Sequence, residues 1–398
     1  MRRTNVFVAA MLLVTACVAG CGTGSDTTPA DPVIDLNTLD FGPYDATPHE
    51  MGKPKNDLQA HDFEAERLGD IVPLAMDIDP SLTFGGNSGT LVFDDPKGTQ
   101  LHNFGDFSHF AEDAPNFIGG YISYGMSSRN NDGIELVNAV LLFPDEKQAA
   151  DAATALEHRD FLAKPGQQPV PIPKYPAAHA HWTPDTQAIN SWYATGKMVV
   201  FTSEYDQAKI WFKHTDLPAL VAMVTKCLDT IVPALAKFTP TPVDQLSDKP
   251  MDIEGMLGRT MVRPKAASGE WLNPPVVFHA HAALGWTTDP IADQKTYQRD
   301  GVDLYAEYGN TLFRARDAAA AKDVRDQLGD PAKHFKSAPP PRNLPIAKCR
   351  QYHGPVTAAV HFYCSVAYGR YASQAWGEQL LDAQQRISAQ YAILVRAK

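Results

Sequence analysis

Two stretches carry the fold: LVNAVLLFPDEKQAADAATAL at 136–156 and YGNTLFRARDAAAAKDVRDQL at 308–328. Each passes from a β-rich run through an aspartate into an alanine-rich helix. Asp145 and Asp317 stand at the junctions, where a short carboxylate accepts from the free N–H groups of a helix's first turn. They lie 172 residues apart, and so do Leu156 and Leu328 further along the helices. Downstream, SWYATGKMVVFTS (191–203) matches FYCSVAYGRYASQAW (362–376), each an apolar run broken by a Gly-basic pair. Gly196-Lys197 and Gly369-Arg370 are 173 residues apart, and turn pairs between β-formers predict hairpins. Features in the same order at a nearly constant offset are the mark of an internal duplication.

Other strand-like runs precede each helix: NFIGGYISYG (116–125) and GIELVNAVLLF (133–143) in the first copy, PVVFHAHAALGW (275–286) and GVDLYAEYG (301–309) in the second. Each copy closes with an amphipathic helix, and the first carries extra residues around EYDQAKIWFKH. The expectation is an α+β fold: two duplicated domains, each a mainly antiparallel sheet with helices packed on one face. The N-terminal domain is expected over 33–245 and the C-terminal one over 272–398. Residues 246–271, in and beyond FTPTPVDQLSDKPMD, read as a linker.

At 398 residues and 44% hydrophobic content the chain can build two cores. Its net charge of −11 excludes a basic nucleic-acid surface. The N-terminus has three zones. Arg2 and Arg3 are basic, Val6 to Val18 is apolar, and Val18-Ala19-Gly20-Cys21 follows. The apolar zone is too short to span a bilayer, and the tetrapeptide resembles the lipobox of bacterial lipoproteins. Residues 1–20 are thus expected to be a signal peptide, Cys21 the lipid-bearing residue, and 21–32 a flexible tether. Cys17 belongs to the discarded leader. An exported chain can oxidise its thiols, so Cys349 and Cys364 are expected to form a disulfide. Cys227 borders the apolar stripe of a helix and reads as a buried, inert thiol.

Candidate chemistry is sparse. His179/His181 and His279/His281 form His-x-His pairs, and on a strand each pair would present two imidazoles on one face. Those four residues are the candidate ligands for a divalent metal, in a metal-dependent enzyme. No cofactor is otherwise expected. Phe107, His109, Phe110 and Tyr121, within GDFSHFAEDAPNFIGGYISYG, are candidates for an aromatic pocket. The run AMDIDPSLTFGGNSGTLVFDDPKG has neither the ligand order of an EF-hand nor a G-x-S-x-G elbow, and reads as a polar, turn-rich loop.

The chain resembles uncharacterised tandem-domain lipoproteins of mycobacteria, nocardiae and their relatives. The likeness rests on VIDLNTLDFGPYDATP, LVNAVLLFPDEKQAADA, DGVDLYAEYGNTLFRARDAAAAKDV and YGRYASQAW followed by LLDAQQRISAQYAIL. It implies an envelope location and a two-domain layout, and it transfers no catalytic or binding residue. The function this supports is non-enzymatic binding of an envelope protein, lipid or cell-wall ligand in a groove between the repeats. The protein is expected outside the cytoplasm, held to the outer face of the cell membrane by its lipid.

Overall fold

Among the described residues, fourteen strands form two seven-stranded sheets, every neighbouring pair antiparallel. The computed structural model describes residues 32–85, 91–130, 132–184, 186–263, 274–355 and 360–397; the leader, Cys17 and Cys21 lie outside them. The first sheet contains β1 (Val92–Phe93), β2 (Gly119–Met126), β3 (Ile134–Leu142), β4 (Gln168–Pro169), β5 (His179–Thr183), β6 (Ala188–Thr195) and β7 (Met198–Asp206). The second contains β8 (Val276–His279), β9 (Leu304–Glu307), β10 (Thr311–Arg314), β11 (Phe335–Ala338), β12 (Lys348–Tyr352), β13 (Phe362–Tyr368) and β14 (Tyr371–Gly377). Their orders are β1-β2-β3-β7-β6-β5-β4 and, read from the other edge, β8-β9-β10-β14-β13-β12-β11. The two sheets therefore match strand for strand, as an internal duplication requires.

The local signals act where the sequence placed them. Asp145 accepts from Gln148 N at 2.8 Å and opens the crossover helix Glu146–Ala163; Asp317 accepts from Ala320 N at 2.9 Å and opens its counterpart Ala318–Gly329. Gly196 and Gly369 sit at the two hairpin tips with φ of +53° and +54°, in the left-handed region that glycine enters without a Cβ penalty.

The α+β class stands, but the helices do not share one face of each sheet. Ser365 donates to the carbonyl of Arg325 on the crossover helix, while its neighbours Cys364 and Val366 pack with Ile387 of the closing helix Leu380–Arg396. Alternate residues of a strand point to opposite faces, so the two helices sandwich the sheet. The first repeat repeats this: Asn190 reaches Asp160 of its crossover helix, and the closing helix Leu217–Leu235 packs on the same strands, β6 and β7. Double coverage explains why β3 and β7 are buried along nearly their whole length, polar residues such as Asn138 and Thr202 included; only end residues escape full burial. The closing helix of the first repeat is long and apolar enough to cross a membrane by length and composition. Its stripe of Leu220, Val224, Cys227, Leu228 and Ile231 is buried instead in the core.

Residues Ile34–Lys398 form one compact unit. Its first segment packs on the second repeat, away from the N-terminal domain to which the sequence assigned it. Leu39 joins the cluster of Leu344, Cys349, Cys364 and Ile387. Tyr44 bonds Asp382, Arg396 Nη1 donates to Ala46 O at 2.7 Å, and Asn343 Nδ2 donates to Thr38 O at 2.9 Å. The expected linker is likewise packed where it is described: Met256, Leu257 and Met261 are buried against the second repeat.

Cys349 and Cys364 oppose one another on β12 and β13 and form the disulfide. Cys227 is buried, and burial pushes its thiol well above the ordinary cysteine range. Replacing both bridge cysteines with serine should cost about 3 kcal/mol, the value for closing a loop of roughly 15 residues. Urea unfolding of the oxidised protein, beside the double variant and the reduced protein, measures it.

Candidate functional site

The repeats meet across the helix Asp57–Gly69. Asn56 caps it by accepting from Gln59 N at 2.9 Å. The helix packs on β1 and β2 of the first sheet and on β8 of the second. Gly69 lets them close: a Cβ there would stand 2.4 Å from the Phe278 ring and 2.7 Å from that of Tyr121. Those two rings, one from each repeat, meet edge to face at 6.0 Å.

Beside this apolar contact lies a polar one. β8 is an edge strand, and an edge strand presents unpaired backbone N–H groups at every second residue. Glu66 Oε1 accepts from Val277 N, and Asp70 Oδ1 accepts from His279 N at 2.9 Å. One helical turn rises about 5.4 Å and two strand residues span about 6.6 Å, so carboxylates four apart match N–H groups two apart. Asp70 Oδ2 also takes His279 Nδ1 at 2.8 Å, and Asp77 takes His281 Nε2 at 2.8 Å.

The helix's other polar side grips the segment after the first closing helix. Arg67 Nη1 donates to Glu64 and, at 2.7 Å, to Thr241 Oγ1, and its guanidinium lies 5.0 Å from the centre of the Phe238 ring. Thr241 N donates back to Glu64 at 2.7 Å. Between these contacts a cavity of about 550 Å³ opens, with Phe63, Phe238, Met251 and Ile253 on its apolar wall and Glu66 and Arg67 among its polar residues. That size suits a small organic ligand. Glu66 is 4% exposed and its second oxygen, Oε2, has no hydrogen-bond partner among the described residues. Burial pushes its carboxyl well above the usual carboxylate range.

The histidine pairs do not converge on a metal. His181 Nδ1 lies 2.9 Å from Glu157 Oε1, and Nε2 lies 3.1 Å from Asp160 Oδ2 in a poorly aligned ion-pair contact. Burial lowers the affinity of His181 for a proton, and its bonds to Asp160 and Glu157 more than reverse that. His179 shares that face and reaches Thr154. In the second pair, β8 ends at His279 and His281 belongs to the short helix Ala280–Ala283, so strand alternation does not apply. These two imidazoles clasp Asp70 and Asp77 across the repeat junction instead. Among the described residues no group of three or more His, Cys, Asp or Glu is arranged to hold a metal ion.

The expected aromatic pocket is filled. Phe107 packs on Trp192 and Phe201, Phe110 on Phe117, and Tyr121 on Phe278, all three in the core. Phe107 also touches a shallow cavity beside Asp106 and Asp160, and His109 lies outside, against Glu112. Sequence reading missed Glu66, Asp70 and the cavity. A helix signal was present, with Asn56 before LQAHDFEAERLG, but nothing in it marks which carboxylates meet an edge strand 200 residues away.

The family model described as domain of unknown function (DUF7373) N-terminal matches residues 51–251, and its C-terminal counterpart matches 256–397. The chain belongs to the DUF7373 family. The family boundary falls at the repeat junction, and the segment before residue 51 that packs on the second repeat lies outside both matches. No curated protein matches the chain. Among solved structures, the extracellular domain of PknH from Mycobacterium tuberculosis is similar at 11% identity and a TM-score of 0.28, covering 42% of this chain and 95% of that one.

Two predictions concern the junction. Gly69→Ala should cost about 1–3 kcal/mol through overpacking, read as a lowered thermal midpoint. The second concerns pH. A buried carboxyl raised in the fold supports stability below its unfolded pKa of about 4.3 and loses that support as pH climbs through the folded value. Glu66 behaves so, as does Glu204, pushed up to about 8 by burial. His281, raised chiefly by its bond to Asp77, supports the fold below about pH 6.5 and loses that as pH rises. All three have the same sign, so urea midpoints should fall from pH 5 to 8, and Glu66→Gln should flatten that fall.

Proposed function

We propose that this DUF7373 protein is an extracytoplasmic, lipid-anchored protein of the actinobacterial cell envelope, and that the cavity between its helix Asp57–Gly69 and the segment after the first closing helix binds a small amphiphilic envelope ligand. The single observation that carries the binding reading is Glu66: a buried carboxyl with one oxygen unpartnered, on the wall of a 550 Å³ cavity. An unpaired buried polar atom costs about 1–3 kcal/mol, and a ligand's polar group would recover that cost. Phe63, Phe238, Met251 and Ile253 offer the apolar body of such a ligand a wall. The lipobox at Cys21, the tether behind it and the Cys349–Cys364 bridge support the location, because structural disulfides belong to oxidising compartments. The resemblance to mycobacterial and nocardial lipoproteins supports the envelope.

Two measurements test this. Cys21→Ser in the native host should move the chain from the membrane to the soluble fraction and remove an acyl mass. Membrane retention of the unmodified variant would defeat the anchor. The binding reading is tested on the chain from residue 22 onward with Nile red, an uncharged fluorescent probe of apolar sites. One saturable site is expected, weakened at least tenfold by Met251→Asp; equal binding by that variant would sink it.

A further inference from the structure

The duplication offers an internal control, because each side chain of one sheet has a counterpart at the same lattice position in the other. His181 on β5 pairs with Asn190, which lies six residues before the hairpin glycine Gly196. Arg350 on β12 pairs with Tyr363, six residues before Gly369. Arg350 thus occupies in the second repeat the place of His181 in the first. Both carry or can carry positive charge, and both face the crossover-helix side of their sheet.

Their surroundings differ. The first crossover helix has 18 residues, and its late turns bring Glu157 and Asp160 onto His181. The second has 12 residues and ends at Gly329, before it can do the same. Among the described residues no carboxylate stands within ion-pair distance of Arg350. Its guanidinium lies 4.1 Å from the centre of the Phe335 ring and 5.9 Å from that of Tyr363. Nε is buried without a hydrogen-bond partner among the described residues, and the bond of Nη1 to Asp330 O is long, at 3.5 Å. The carboxylate of Asp330 is engaged by Lys348 at 2.7 Å. Arg350 is half-buried, and its Nε, cut off from water, is a donor that an anion's oxygen would satisfy.

We propose that Arg350, framed by Phe335 and Tyr363, is an oxyanion-binding site that takes a carboxylate or phosphate carried on a flat apolar group. The anion supplies the charge that Glu157 and Asp160 supply to His181, and the rings hold the flat group beside the guanidinium. The site lies in the second repeat and does not rest on the cavity at Glu66.

The test uses the full chain in detergent, titrated with phenyl phosphate, benzoate and, as the uncharged control, benzyl alcohol. Saturable binding of both anions and none of the alcohol is expected. Arg350→Gln should weaken the anions at least tenfold; Arg350→Lys, which keeps the charge but loses the planar fork, should weaken them less. Unchanged affinity in Arg350→Gln, or tighter binding of the alcohol than of either anion, would overturn the site. Nitrogen-15 NMR of the native chain decides the matter even where a variant fails to fold. The Arg350 Nε–H resonance should move with the phenyl phosphate titration and saturate with it, and an unmoved resonance would equally defeat the proposal.

Discussion

The described arrangement of the repeats depends on how the edge of the second sheet is covered. β8 has one neighbour, β9, and its outward N–H groups need acceptors. Glu66 and Asp70 provide them from a helix packed on the first sheet, so satisfying the edge and joining the repeats are one event. An uncovered edge is a template for pairing with another chain, and a carboxylate-bearing helix removes that hazard without adding a strand. Gly69, between the two carboxylates, brings the helix close enough for both bonds to form. The histidines of HAH then add to the same seam, one to Asp70 and one to Asp77.

What the sequence revealed and what it hid divide along locality. Asp145, Asp317, Gly196 and Gly369 act on backbone within a few residues of themselves, so their chemistry is readable from neighbours alone. The pairing of Cys349 with Cys364 was readable for a similar reason: a short loop returning to an adjacent strand brings the thiols opposite. The seam was not readable. Val277 lies 211 residues from Glu66 and Asp382 lies 338 from Tyr44, and no periodicity links positions so remote. The His-x-His pairs misled because alternation holds only while a strand lasts; β8 stops at His279. The aromatic run misled because three of its members were needed to fill the core, where Phe107 meets Trp192 and Phe201.

Duplication also explains the asymmetry of the molecule. Two copies of one fold began with the same burial problem on each sheet face, and they answer it with different material. The first copy covers the crossover side of its sheet with a helix six residues longer than the second's, and that extra length carries Asp160. The second copy brings in the strand β11 sooner and lays Phe335 over Arg350. The second copy also receives the N-terminal segment from Ile34 to Ala46 against its closing helix.

The acidic character of Glu66 is not explained by the seam. A glutamine's carbonyl would accept from Val277 N as well as a carboxyl does, without the cost of a buried ionisable group. An apolar residue would leave that N–H unpaired, so some acceptor is required, but the second oxygen contributes nothing to the junction. With Oε1 accepting an N–H, a proton retained by the carboxyl sits on Oε2, the oxygen left without a partner. The group then carries a donor at an atom which no described residue bonds, and it loses that donor once the pH exceeds its raised pKa. The structural half of the side chain belongs to the fold, and the other half lies buried at the cavity wall with no hydrogen-bond partner among the described residues.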